Sequence, residues 1–260
     1  MPIVTLTTDF GLSDIYAGRF KGRLISSIQG LNIIDITHEI PPYNILTGGY
    51  SIRNTFASFP EGTFHIARVN EQGLISEGLL IASAKGHYFL APDNGLLPMA
   101  MNNKFDWVRR VDLDKVSSST SDLIYAEVLK LLIADEYQSV SKLVDDYIVN
   151  TDWALIKEED QVRGMVVIID YFGNLITNIH FKDIADYMEK YEELKVFYKA
   201  SESIDRLCIN YNDVKEGEVM CRVNDLGYLE IATNKGEANK LLGVKLGQVI
   251  LIKFYDSKDS

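Results

Sequence analysis

Cysteine and histidine are both scarce in this sequence of 260 residues. The two cysteines, Cys208 and Cys221, lie in apolar, strand-like surroundings, and neither has a second pair or a histidine at zinc-ligand spacing. The four histidines are scattered along the chain in the same way. We therefore expect buried free thiols rather than a disulfide framework, and we expect no metal site.

Long apolar runs are also missing. The longest runs, such as residues 78–83 and 165–169, are far shorter than the roughly 20 residues that cross a bilayer. The first residues show no basic leader followed by an apolar secretion core. We therefore expect no membrane span and a cytoplasmic location.

Positive charge is in short supply. The chain has 26 lysines and arginines against 37 aspartates and glutamates, which gives a formal net charge of -11. Because recognition of nucleic acid backbones normally needs a basic face, we expect no nucleic acid partner. Hydrophobic residues make up 47% and charged residues 24%, which are ordinary values for globular proteins. This composition favours a globular protein with a small cationic or zwitterionic ligand.

Three catalytic motifs are absent as well. The sequence has no Walker loop, no nucleophile elbow and no GxGxxG segment after its first strand-like run. These absences argue against phosphoryl transfer, triad hydrolysis and nicotinamide binding. Spacing alone leaves the reaction unnamed.

The first 150 residues contain an alternation of strand and helix patterns. Short β-branched runs predict strands at 3–8, 31–36, 63–69, 79–84 and 88–91. Helical spacing of apolar residues predicts helices at 13–29, 43–59 and 123–134, the first of them capped by Ser13. The β-α-β-α order predicts an α/β domain with a mostly parallel sheet over residues 1–150.

The remaining residues have a different pattern. The polar stretch 151–164 lacks apolar periodicity and is predicted to be a linker. Strand-like segments then follow one another with few helices between them, at 166–169, 175–179, 194–198, 218–223, 228–232 and 248–254. Residues 165–260 are therefore predicted to form a smaller β-rich domain that is antiparallel and barrel-like.

Several polar or aromatic residues stand where these elements end. Asp9 follows the first strand, at the carboxyl edge where open α/β sheets bind ligands, and its carboxylate can grip two vicinal hydroxyls. The alternative is that Asp9 caps a helix or braces the turn, and Asp14 has the same two interpretations. Tyr43 is placed either against a ribose or a sulfonium cation, or in the core. In the second domain, residues 170–174 offer a carboxylate, rings and an amide in one turn, which suits a zwitterion and a purine.

Five ordered segments together carry a family resemblance. They are residues 8–11 (TDFG), 35–42 (DITHEIPP), 86–97 (GHYFLAPDNGLL), 169–178 (IDYFGNLITN) and 227–236 (GYLEIATNKG). In this order they resemble the S-adenosylmethionine hydroxide adenosyltransferase family, which is related to fluorinating and chlorinating enzymes. The resemblance implies cleavage of S-adenosylmethionine at the 5′ carbon of its ribose by water or halide. S-adenosylmethionine would be the substrate, and no cofactor is implied.

The resemblance also assigns roles by position. Asp9 resembles the residue that binds the ribose hydroxyls, and Tyr43 resembles the aromatic residue beside the ribose. The residues that resemble those around the methionine end are Asp14, Asp170 and Asp225. The residues that resemble the adenine pocket are Phe172, Asn174 and Tyr211. In this family the pocket lies between subunits of a homotrimer, so a homotrimer with inter-subunit sites is implied.

The sequence departs from the family at the groups that activate water. Hydrolytic members carry an Asp-Pro-Gly-Val-Gly loop with a following arginine, and a histidine in Phe-His-Gly-Arg-Asp. Here Asn70 stands at the aspartate position, residues 76–79 contain no arginine, and residues 117–122 contain no histidine. The Asp-Arg-His triad is therefore predicted to be lost, and Asn70 or a nearby serine is the candidate for orienting water.

Three functions remain open at this point. One is hydrolysis of S-adenosylmethionine to adenosine and methionine, and another is a catalytically impaired paralogue that binds a nucleoside as a sensor or scaffold. Halogenation ranks below both, because Glu71 and Glu77 are expected to place negative charge near a halide.

Overall fold

The computed structural model describes residues 1–73, 78–150 and 155–256. Contacts between Cα atoms divide the chain into two compact units, Met1–Asp152 and Trp153–Ser260. Within the described residues, no helix is long and apolar enough to cross a membrane.

The first unit is built around a seven-stranded sheet. Its strands are β1 (Ile3–Thr8), β2 (Asn32–Thr37), β3 (Phe64–Arg68), β4 (Leu79–Ala84), β5 (His87–Pro92), β6 (Trp107–Val111) and β7 (Ser141–Leu143). Their order across the sheet is β2-β1-β3-β5-β4-β6-β7. Strands β2, β1, β3 and β5 pair in parallel, whereas β4, β6 and β7 pair antiparallel. The prediction of an α/β fold with a largely parallel sheet is confirmed.

Helices cover both faces of this sheet. They are α1 (Tyr16–Ser27), α2 (Ile45–Arg53), α3 (Leu96–Met101) and α4 (Ser121–Ile133). On β3, Ile66 belongs to the core that includes residues of α1 and α4, and its neighbour Ala67 belongs to the core that includes residues of α2 and α3. Because successive residues of a strand point to opposite faces, a strand buried on both sides is largely apolar. This explains the uninterrupted apolar runs in the sequence.

Two helix starts differ from the sequence prediction. Helix α1 begins at Tyr16 rather than at Ser13, and its N-cap position is Ile15, which makes no side-chain capping bond. Helix α2 begins at Ile45 because the side chain of Asn44 accepts a hydrogen bond of 2.9 Å from the amide of Thr47. Tyr43 therefore lies in the turn before the helix and not in its first turn.

The second unit is mostly antiparallel. Its strands are β8 (Ile156–Lys157), β9 (Gln161–Ile169), β10 (Leu175–His180), β11 (Glu193–Lys199), β12 (Glu202–Ile204), β13 (Leu207–Cys208), β14 (Val219–Val223), β15 (Tyr228–Thr233) and β16 (Val249–Tyr255), and its helices are α5 (Phe181–Lys190) and α6 (Ala238–Leu242). The order is β12-β11-β16-β9-β10-β15-β14-β13, with β8 on β9. Among the described strands of the second unit, only the short β13–β14 pair is parallel. The predicted β-rich second domain is confirmed as a fold.

The stretch 151–164, expected to be a linker, contains regular structure from residue 156. Strand β8 pairs with β9, and β9 itself begins at Gln161. The hydroxyl of Tyr187 donates a hydrogen bond of 2.7 Å to the carbonyl of Glu158. Residues 151–154 lie outside the described residues, so a linker proposal is limited to a shorter stretch than the sequence suggested.

Candidate functional site

In the first unit the site is built at the carboxyl ends of β1 and β3. These strands are parallel neighbours, with Thr8 opposite Arg68, so the residues that follow them meet at one edge of the sheet. The Oδ2 atom of Asp9 accepts hydrogen bonds from the backbone amides of Tyr43 (2.9 Å) and Asn70 (3.0 Å). Three residues singled out from the sequence are thus brought together.

Asp9 therefore braces the turn, as one interpretation of the sequence held, but it does so with one oxygen. Among the described residues, none donates a hydrogen bond to Asp9 Oδ1.

Tyr43 is 70% exposed, which rules out the core alternative for its ring. Tyr43 and Asn70 have φ angles of 66° and 54°, a left-handed conformation that is uncommon outside glycine and clusters at functional sites.

Asp14 is less closely tied to this group. It is exposed in the irregular segment between β1 and α1. Within the described residues, no hydrogen bond or ion pair joins it to Asp9, Tyr43 or Asn70. Its assignment to the methionine end stays a prediction.

A buried histidine supports the strand end that carries Asp9. The hydroxyl of Thr8 lies 2.7 Å from His38 Nδ1, and His38 Nε2 lies 3.1 Å from Asp35 Oδ1. Burial alone would raise the pKa of Asp35, but its hydrogen bond to Lys21 and the neighbouring His38 lower it below its usual value. This set fixes the backbone on which Asp9 stands.

The structure reveals an ionic cluster that sequence reasoning missed, and we define it as Arg68, Glu71, Ser121 and Asp122. Arg68 donates to both carboxylate oxygens of Glu71, from Nε (2.9 Å) and Nη2 (3.0 Å), and from Nη1 to Asp122 (2.7 Å). Its guanidinium carbon lies 4.5 Å from the ring centroid of Phe20. A lone arginine in the buried strand 64–68 was the signal that could have found this cluster.

The cluster changes the expected electrostatics. Burial alone would lower the pKa of Arg68, but the bonds to Glu71 and Asp122 raise it, so the guanidinium remains charged. The charge of Glu71 is therefore compensated, because Arg68 binds both of its oxygens, and this removes the basis on which Glu71 was expected to repel an anion. Glu77, the other half of that expectation, lies outside the described residues.

In the second unit, a cavity of about 670 Å³ collects the predicted purine-binding residues. Its lining comprises Tyr171, Phe172, Asn174, Tyr211, Thr233, Lys235, Gly236 and Glu237. Phe172 is 69% exposed and stands at 5.6 Å from Tyr171, ring centroid to ring centroid. An open cavity with exposed aromatic faces can stack a flat heterocycle.

Asp170 shapes the rim of this cavity. Its Oδ1 accepts from the amides of Phe172 (2.9 Å) and Asn174 (2.8 Å), and its Oδ2 accepts from Asn174 Nδ2 (3.0 Å). Asp170 is thus occupied in holding the turn between β9 and β10. Its predicted role at the methionine end remains an untested assignment.

Tyr211 is fixed by a buried carboxylate. Its hydroxyl donates a hydrogen bond of 2.6 Å to Glu230, which is 4% exposed on β15. Burial and this hydrogen bond raise the pKa of Tyr211 to about 12. Glu230 was missed from the sequence, although a lone carboxylate inside the apolar run Tyr228–Thr233 was a usable signal.

Asp225 is not a lining residue of the cavity. Its side chain is 98% exposed and forms an ion pair of 3.2 Å with Arg222, whose guanidinium carbon lies 5.0 Å from the ring centroid of Tyr211. The link between Asp225 and the cavity therefore runs through Arg222.

The fold and these two sites define a class: an α/β unit with an open carboxylate at a strand edge, followed by a β-rich unit with an aromatic cavity. The SAM hydroxide adenosyltransferase N-terminal domain model matches residues 4–129, and the corresponding C-terminal domain model matches residues 164–251. The chain belongs to the SAM hydroxide adenosyltransferase family, as its resemblance implied.

Individual relatives match along nearly their whole length. The chain is 28% identical over 254 residues to an (R)-S-adenosyl-L-methionine hydrolase of Methanocaldococcus jannaschii, covering 94% of this chain and 93% of the relative. It is 23% identical to a fluorinase of Actinoplanes sp., with 96% and 97% covered. A crystal structure of an uncharacterized conserved protein from Thermotoga maritima superposes with a TM-score of 0.82 at 27% identity, covering 96% of this chain and 99% of that one.

Proposed function

We propose that this protein cleaves S-adenosylmethionine to adenosine and methionine by attack of water on the 5′ carbon of the ribose. The observation that carries the proposal is the grouping of Asp9, Tyr43 and Asn70 at one sheet edge, with Asp9 Oδ1 open to a ligand. Family membership and relatives named as S-adenosylmethionine hydrolases support it.

The chemistry asks little of the protein. The oxygen of water forms a bond to the 5′ carbon, the carbon–sulfur bond breaks, and its electron pair leaves with the sulfur of methionine. Because a sulfonium is already a good leaving group, catalysis consists mainly of aligning water with the carbon and removing other solvent. The water must also lose a proton.

We assign the binding residues as follows. Asp9 Oδ1 accepts from the ribose hydroxyls, and the exposed Tyr43 ring lies beside the ribose. Asp14, Asp170 and Asp225 serve the methionine end. The purine occupies the cavity lined by Phe172, Asn174 and Tyr211.

A binding protein without turnover is the second candidate. Asn70 favours it, because a carboxamide cannot accept a proton at neutral pH and so cannot replace an aspartate as a base. Halogenation is a third outcome, since the compensated charge of Glu71 removes one objection to an anion.

One incubation separates the three candidates. Purified protein is incubated with S-adenosylmethionine in water and in fluoride or chloride salts, and the products are identified by mass spectrometry. We expect adenosine and methionine in every sample. Unchanged substrate, with binding measured by calorimetry, would support the sensor or scaffold, and a haloadenosine would support a halogenase.

We also propose a homotrimer in which sites are completed between subunits, and light scattering of the purified protein tests the mass.

A cytoplasmic location is proposed because Cys208 and Cys221 stay as buried free thiols on the adjacent strands β13 and β14, which suits a reducing compartment. Cell fractionation tests it.

A further inference from the structure

The proposed hydrolysis releases a proton, and the loss of the Asp-Arg-His triad leaves open which group takes it. Proton transfer to a positioned side chain typically contributes about 10² to 10⁴ in rate. As the oxygen–carbon bond forms, the attacking water becomes strongly acidic, so a carboxylate is a sufficient acceptor. The inference below rests on the proposed function and concerns that acceptor.

Few carboxylates near the sheet edge of Asp9 are suited to this task. Asp35 is engaged by Lys21 at 2.5 Å and by His38 at 3.1 Å. Asp14 and Glu39 are exposed, so bulk water surrounds their carboxylates and no single water molecule is held in place there. Glu71 differs from them, because it directly follows the Asn70 that contacts Asp9 and its side chain is only 10% exposed.

The contacts of Glu71 hold its carboxylate in one orientation. Arg68 grips both oxygens, and Ser121 donates its hydroxyl proton to Oε1. The same serine oxygen accepts a hydrogen bond of 2.7 Å from Arg68 Nη2, so its hydroxyl can point only toward the glutamate. Bidentate arginine–carboxylate pairs add this kind of geometric precision.

The arginine is itself anchored on a second side. Asp122 accepts from Arg68 Nη1 at 2.7 Å and from Arg19 Nε at 2.9 Å. The two arginines and two carboxylates sum to zero charge, which lets the group remain partly buried. Arg68 lies on β3, and Ser121 and Asp122 lie on α4. Rigid elements such as these hold functional groups more accurately than loops do.

We propose that Glu71 accepts the proton of the attacking water and that Arg68 and Ser121 position its carboxylate. As the water oxygen bonds to the 5′ carbon and the sulfur departs with the bonding pair, the released proton passes to Glu71 and then to bulk water. The acceptor is displaced by one residue from the family aspartate position, which Asn70 occupies. Asn70 retains the backbone bond to Asp9.

Glu71→Gln removes the basic oxygen and keeps the shape of the side chain. We expect kcat for adenosine release to fall at least 100-fold, while the Kd for S-adenosylmethionine by calorimetry stays within threefold. The wild-type kcat should decline toward low pH, and the Glu71→Gln variant should lose this decline. A purely structural residue would not change the pH profile.

Glu127→Gln is the matched control. Glu127 lies on helix α4, which also carries Ser121, and it accepts hydrogen bonds from serines, at 2.8 Å from Ser117 and 2.7 Å from Ser118, but it has no hydrogen bond or ion pair with Arg68. Its kcat should remain within threefold of wild type. Ser121→Ala keeps every charge of the cluster, so it serves if Glu71→Gln does not fold, and we expect its kcat to fall about tenfold with unchanged Kd.

The outcomes separate this inference from the proposed function. If the wild type binds S-adenosylmethionine but releases no adenosine, the hydrolase proposal fails and the inference fails with it. If the wild type turns over and both Glu71→Gln and Ser121→Ala match it at every pH, hydrolysis stands and the role of Glu71 is refuted. If the wild type turns over and Glu71→Gln loses both kcat and the pH dependence of kcat, the result supports the hydrolase proposal and the role of Glu71.

Discussion

At the scale of single residues, Asp9 does two jobs with its two oxygens. Oδ2 accepts hydrogen bonds from the backbone amides of Tyr43 and Asn70, and Oδ1 is the atom that we propose to bind the ribose hydroxyls. A substitution at Asp9 therefore removes an internal brace as well as the proposed binding group. Asparagine at this position separates the two effects, because its carbonyl oxygen can still act as the brace but lacks the negative charge for binding.

Asp9→Ala should weaken adenosine binding by about 2–4 kcal/mol, because the ribose hydroxyls lose a charge-assisted acceptor. Asp9→Asn should preserve more thermal stability, since its carbonyl still accepts the two amides, yet should bind adenosine more weakly than wild type. Calorimetry and thermal unfolding measure the two effects. Unchanged affinity in Asp9→Ala would mean that Asp9 only braces the turn.

His65 is a second residue with a measurable consequence. It lies in the first unit, 4% exposed, with Thr5 Oγ1 at 2.7 Å from Nδ1 and His87 Nδ1 at 3.2 Å from Nε2. Burial and the neighbouring His87 lower its pKa to about 3. The folded protein therefore requires neutral His65, while the unfolded chain takes up a proton near the ordinary value of about 6.5.

The stabilisation from neutral His65 is complete above about pH 6.5 and is lost as pH falls toward 3. At pH 5 the loss should be about 2 kcal/mol, since each pKa unit corresponds to about 1.4 kcal/mol. Urea unfolding at pH 7 and pH 5 measures it, and His65→Gln should show a smaller decrease between these pH values. An equal decrease in both proteins would contradict the assignment to His65.

The sequence was sufficient to predict which residues follow the ends of strands. Asp9 and Asn70 follow β1 and β3, and the carboxyl ends of parallel strands meet regardless of side-chain detail. The Arg68 cluster and Glu230 were not predicted, because pairing buried charges depends on which strands and helices become neighbours. The paired residues are distant in the sequence: Arg68 and Asp122 are 54 positions apart, and Tyr211 and Glu230 are 19 positions apart.

At the scale of elements, the turn between β9 and β10 forms a constrained part of the rim of the second unit's aromatic cavity. Gly173 has a φ of 80°, and a Cβ added there would lie 2.6 Å from Asn239 Oδ1 and 2.9 Å from Glu237 Cβ. Both the backbone conformation and the close approach of the following loop therefore require glycine.

Gly173→Ala should lower the free energy of unfolding by about 1–3 kcal/mol and weaken adenosine binding, because the turn carries Phe172 and Asn174. Gly217→Ala is the control, since Gly217 has a φ of 83° but nothing within 4 Å of an added Cβ. The difference between the two variants in thermal unfolding isolates the steric clash. Equal destabilisation would mean that backbone strain alone is responsible.

The bounds of helices and strands were predictable from the sequence where one hydrophobic pattern dominated the segment. Strands β1 and β4 have the predicted bounds, whereas helix α3 was missed because Leu96–Met101 is short, entirely buried and contains Pro98. Short apolar runs do not distinguish helix from strand by periodicity. Helix α2 ends at Arg53 instead of residue 59, and a separate 3-10 turn, Phe56–Ser58, follows it.

At the scale of the whole molecule, the two units have separate cores. The cores of the first unit draw on residues 4–140 and that of the second on residues 162–254. A fragment covering residues 155–260 should therefore unfold cooperatively on its own. Thermal unfolding by circular dichroism checks this, and a broad transition without cooperativity would show that the second unit depends on the first.

The pairing of β1 with β3 has a consequence for the order of events during synthesis. Asp9 is synthesised before Asn70, whose amide completes its bracing and is encoded 61 residues later. At about 5–20 residues per second, the nascent chain waits roughly 3–12 seconds before that partner has been added. Through this interval β1 can pair with β2 but not yet with β3, so the turn that holds Asp9 is completed late and cannot guide the pairing of β1 with β2.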